Sequence, residues 1–185
     1  MITPERVLDF WFAGDPGTHR KEWFEKSPEF DASCVQFADA LRQAKSGALD
    51  HWAETPRGAL ALIVLLDQFS RNLHRGSALS FAADAQARAL ARDAIARGFD
   101  RQVSPVQRMF VYLPFMHAEE LADQDESVRR FETLRLALGD HSVEYAYRHR
   151  DVIRRFGRFP HRNAVLGRAS TADELHYLSQ PGAGF

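Results

Sequence analysis

Four times in this chain a hydroxyl residue stands directly before a proline: Thr3-Pro4, Ser27-Pro28, Thr55-Pro56 and Ser104-Pro105. Each pair reads as a helix start. The Ser or Thr oxygen accepts a backbone N–H left over in the first turn, and proline lacks the N–H that would otherwise be orphaned. A fifth start, Thr171-Ala-Asp-Glu174, has the spacing of a capping box. The ends are marked too: Gly14, Gly47, Gly98, Gly139, Gly157 and Gly167 each follow a helix-like stretch. Together these signals predict helices at about 4–12, 28–46, 56–73, 81–97, 105–122, 125–138, 143–156 and 172–179, with a short extra turn near 20–25. No segment alternates apolar and polar residues between turn pairs, so no sheet is expected. The expectation is an all-α fold, one domain over residues 1–185, with about eight antiparallel helices joined by short connections.

Composition narrows what such a domain does. The net charge of −1 argues against a general nucleic-acid binder, which needs a basic face. One cysteine, Cys34, cannot form an internal disulfide and fits a reducing compartment. The first residues carry Glu5 and Asp9 where a secretion signal needs an uncharged core. The longest apolar run, Gly58 to Leu66, is about half a membrane span. A cytoplasmic protein that enters no membrane is expected.

The run Leu60, Leu62, Ile63, Val64, Leu65, Leu66 leaves no polar face through two turns, which predicts the central buried helix. Asp67 continues that row, so its carboxylate needs a partner inside the fold. Arg71, four residues on, is the local candidate, and an arginine from beyond residue 150 is the distant one. In the 105–122 segment, Val106, Phe110, Leu113, His117 and Leu121 share a row, and Pro114 should kink the helix just before it. The segment ends in the acids Glu119, Glu120, Asp123, Asp125 and Glu126. Trp11, Phe12, Trp23 and Phe24 read as core, or as a groove for a partner helix or peptide.

The acids face a basic counterpart. From His149 to Arg168 the chain has six arginines, two histidines and the single acid Asp151. Arginines gathered in a loop with Gly157 and Pro160 point to a clamp, since guanidinium groups match carboxylate and phosphate oxygens. The candidate ligand-binding residues are Asp67, Arg71, Arg75, Arg150, Arg158, Arg162, Asn163 and Arg168. Pairing of these arginines with the acids above is the plainer reading. His117, His149 and His161 are the candidates for proton transfer. His161 follows Phe159-Pro160, a bond expected to be cis, and His149 would be oriented by Glu119. A metal would need more than the one His117/Glu120 pair, so no metal or other cofactor is expected. No nucleophile elbow or phosphate-binding glycine loop is present.

The segments LLDQFSRNLHRG (65–76), LPFMHAEE (113–120) and HRDVIRRFGRFPHRNAVLGRASTADE (149–174) resemble the signatures of the bacterial domain-of-unknown-function family 924. The opening FWF and the closing YLSQPGAGF fit as well. The resemblance implies a tetratricopeptide-like arrangement of stacked helix pairs and no established reaction. Ser70 stands where that family usually has proline, and Ala118 where it usually has serine. Two functional readings follow. One is an Arg/His-lined pocket for a small anionic molecule, with or without catalysis. The other is an interaction module for a peptide or protein partner.

Overall fold

The structure is a computed structural model that describes residues 2–13 and 20–184. Gly14, one of the expected helix stops, lies outside them. Among the described residues every element is helical. They are α1 (Pro4–Trp11), α2 (Pro28–Cys34), α3 (Ala38–Lys45), α4 (Pro56–Ile63), α5 (Ser70–Leu73), α6 (Asp84–Ala96), α7 (Pro105–Met116), α8 (Leu121–Glu132), α9 (Arg135–Leu138), α10 (Asp140–Phe156) and α11 (Ala172–Leu178). No helix among these residues is long and apolar enough to cross a membrane.

The capping signals act as their chemistry predicts. Thr3, Ser27, Thr55 and Ser104 each accept a backbone N–H three residues on, and each is followed by proline in the first turn. Thr171 and Glu174 form the capping box of α11. Gly157 ends α10 at φ 68°, in the left-handed region that a Cβ disfavours. The interiors depart more often. The stretch 28–46 is two helices joined by a tight 3-10 turn, Val35–Phe37. The helix expected to run to residue 122 stops at Met116, just past Pro114 in its last turn. Residues 117–120 then turn the chain into α8, and Leu121 is 44% exposed rather than in the α7 row.

The central helix is buried over its whole middle. Residues Gly58 to Ser70 are all nearly inaccessible. Its N-terminal turn is in close contact with the preceding segment: a Cβ on Gly58 would lie 2.0 Å from the Trp52 carbonyl oxygen. Between α4 and α5 the chain widens into a π-helical stretch, Val64–Phe69. Trp11, Phe69 and Phe110 stack around this helix, with Phe12 and Trp23 beside them. Phe24 lies on the outside, 53% exposed. α4 packs on α1, α6 and α7, while α8 packs between α7 and α10. Val152, Ile153 and Phe159 form a smaller apolar cluster apart from this core, flanked by Phe156 and Tyr177.

Candidate functional site

The polar centre is built where three distant stretches of chain meet. Asp67 comes from the π-helical stretch, 1% exposed. Its Oδ1 accepts from His117 Nδ1 at 2.8 Å, its Oδ2 from Gln68 at 2.6 Å, and Arg71 stands 3.1 Å from Oδ1. Burial alone would raise this carboxyl, but Arg71 and His117 hold it well below the usual carboxylate range. An ionised carboxylate only accepts, so the His117 proton in this bond is on Nδ1. His117 sits in the turn after α7, and none of the described residues hydrogen-bonds to its Nε2. Burial, then the Arg71 charge, pushes His117 below 6.5, and Asp67 offsets this only in part.

Arg71 bridges to the start of α6. It holds both oxygens of Asp84, at 3.0 and 3.1 Å, and donates to the Asp67 carbonyl at 2.6 Å. Arg162 reaches the same Asp84 from the other side, at 3.6 Å. Its guanidinium lies between two rings, 4.4 Å from the Phe81 centroid and 4.6 Å from that of Phe159. Only 7% of Arg162 is exposed, and its buried Nε has no hydrogen-bond partner among the described residues. Burial, then Arg71, lowers it to about 10.

The Phe159 ring connects Arg162 to the other two histidines, at centroid distances of 5.6 Å to His149 and 5.6 Å to His161. His149 is buried on α10 with Nδ1 on the Tyr145 carbonyl, 2.8 Å away. Burial pushes it well below 6.5. Burial and then Arg162 take His161 to about 4. The Phe159-Pro160 bond is trans, since no described peptide bond is cis.

The remaining expected residues are held elsewhere. Glu119 does not orient His149. Its oxygens accept two bonds from Arg168, at 2.7 and 3.0 Å, and the Phe159 N–H at 2.8 Å. Arg168 also donates to Asn163, which donates to Ser170. Arg158 pairs through two bonds with Glu174, the acid of the α11 capping box. Arg158, Asn163 and Arg168 therefore tie residues 157–174 together. Arg75 pairs with Asp31 on α2. Arg150 lies over the Tyr147 ring and 3.6 Å from Asp125. The acidic run therefore meets the basic one only at Glu119 and Asp125, because Asp123 pairs with Arg88 and Arg92, and Glu126 with Arg129 and Arg130.

Sequence reasoning missed two members of the centre, Asp84 and Phe81. Asp84 looks like any acid in a first helical turn. No group of His, Cys, Asp and Glu among the described residues is arranged to hold a metal.

The same architecture is known from another bacterium. A solved structure of a protein of unknown function from Agrobacterium tumefaciens is 42% identical and covers 95% of this chain and 96% of its own, with a TM-score of 0.86. A comparison with curated proteins found no match. A family model described as Bacterial protein of unknown function (DUF924) matches residues 7–182, and the chain belongs to that family.

Proposed function

We propose that the protein binds a small anionic ligand at the centre formed by Arg162, Arg71 and His117, with His117 as its proton-handling group. The observation that carries this reading is Arg162. An arginine N–H buried without a partner costs about 1–3 kcal/mol, and an oxygen from outside the chain would supply that partner. The Asp67–His117 pair adds an imidazole fixed in one tautomer, as acid–base groups require. The centre opens to solvent along the His117 and Arg71 side chains, 16% and 19% exposed. Covalent catalysis finds no support here, because the buried Cys34 thiol is pushed up to about 12. An interaction module has less to rest on. The large exposed apolar side chains, such as Leu79, Leu121, Leu136 and Leu175, sit singly on separate elements.

The test is a thermal-shift series with inorganic phosphate, pyrophosphate and acetate, on the native chain and on Arg162→Met. A ligand at 100 times its Kd adds about 2.7 kcal/mol of stability. The methionine variant is expected to unfold no earlier than the native chain, because Asp84 keeps Arg71 and the aromatic slot stays filled. It should lose the anion-induced shift. No shift by any probe, or equal shifts in both proteins, overturns the reading.

A further inference from the structure

Given the anion site proposed above, we propose that the centre takes up its anion together with one proton, held at His117 Nε2, so that what binds is formally a small acid. Charge balance and hydrogen-bond geometry lead there independently. The carboxylates of the centre are Asp67 and Asp84, and its guanidinium groups are Arg71 and Arg162. They cancel, and beside them Glu119 and Arg168 neutralise each other. With its histidines neutral, the centre has no positive charge in reserve, and a buried anion would enter uncompensated at high cost.

His117 is the group able to supply the missing charge. Its Nδ1–H is committed to Asp67. A neutral imidazole in that tautomer shows a lone pair at Nε2, which repels an anion; a proton there turns repulsion into a charge-assisted bond. Asp67 stabilises the imidazolium that results. The groups facing His117 are Asp67 and Arg71 from the central helix, Asp84 from α6, His149 from α10, and His161 and Arg162 from the final loop. His149 has its Nδ1 on a helical carbonyl and is 6% exposed. His161 lies under the end of the chain, where a Cβ on Gly184 would be 3.1 Å from its own Cβ. His149 is less accessible to an incoming acid than His117. His117, held below 6.5 by burial and Arg71, is neutral at pH 7 and can be protonated at Nε2, since its Nδ1–H is already fixed on Asp67. The balance is simple. The anion and a solvent proton add to neutral His117, or the undissociated acid donates its O–H to Nε2, and the bound composition is the same.

The experiment is an NMR titration of the intact protein with acetate at pH values of about 6.5, 7.5 and 8.5, following the histidine ring nitrogens. Acetate stays ionised throughout, so any pH dependence belongs to the protein. The Kd is expected to rise about tenfold per pH unit over the upper part of that range. At saturation near pH 7.5, the His117 nitrogens should move to the doubly protonated pattern while His149 and His161 stay neutral. His117→Gln serves to assign the ring, and the pH dependence of Kd stands without that variant. Binding with a pH-independent Kd and a neutral His117 overturns the proton uptake and leaves the anion site intact. Absence of acetate binding at every pH, together with no shift by phosphate or pyrophosphate, overturns both.

Discussion

One carboxylate, Asp67, holds a histidine, a glutamine and an arginine in place at once. Replacing it with asparagine keeps the shape but leaves Arg71 short of a charge partner and His117 on a neutral acceptor in place of a charged one. Breaking a buried pair this way costs about 3–5 kcal/mol, so Asp67→Asn should lower the urea midpoint sharply. A change below about 1 kcal/mol would show that Asp84 alone satisfies Arg71. At this scale the sequence was half legible. Asp67 declared itself by continuing an apolar row, and Arg71 by its four-residue spacing. His117 as the partner, fifty residues away, did not, because nothing local to either residue records the other. Nor could residue type separate Arg162 from Arg158 or Arg168. All three are arginines in one loop, and only tertiary placement leaves the first between two rings and the others on acids.

Among the elements, helix starts and stops were the most readable features because capping is short-range chemistry that needs no knowledge of neighbours. Interruptions were not readable for the opposite reason. The π-helical stretch Val64–Phe69 lies in a nearly continuous apolar run with no glycine or proline to announce it. It nonetheless sets the direction of Asp67, and such wide turns recur at functional sites. The loop after α10 is the element on which the centre most depends. Glu119 and Arg168 fasten it to the α7–α8 turn, with side chains about a quarter exposed. Glu119→Gln and Arg168→Ala should each cost about 1–2 kcal/mol by chemical denaturation. The double variant should cost clearly less than the two added together, since they remove the same interaction. Strict additivity would mean that each residue stabilises the fold through different partners.

For the molecule as a whole, acid is the expected weakness, and its sign follows from the buried groups. His149 and His161 are held below 6.5 in the folded state, the latter at about 4. Burial in the fold therefore favours their neutral form. Their contribution is complete above the unfolded value of 6.5 and is lost as pH falls toward 4. The carboxylates follow at lower pH. Glu174, held at about 2 by Arg158 and the Thr171 N–H, loses its contribution below its ordinary 4.5, and Asp67 does so below 3.8. Urea midpoints should therefore decline from near pH 6.5, before any carboxylate titrates, and His161→Gln should remove part of that early decline. A flat profile between pH 7 and 5 would mean that these histidines are as well hydrated in the fold as in the open chain. The loop that carries Phe159 and Arg162 rests on the small apolar cluster of Val152 and Ile153 rather than on the main core. Because the centre meets solvent past His117 and Arg71 rather than through the two rings around Arg162, a ligand would come and go while that loop stays closed.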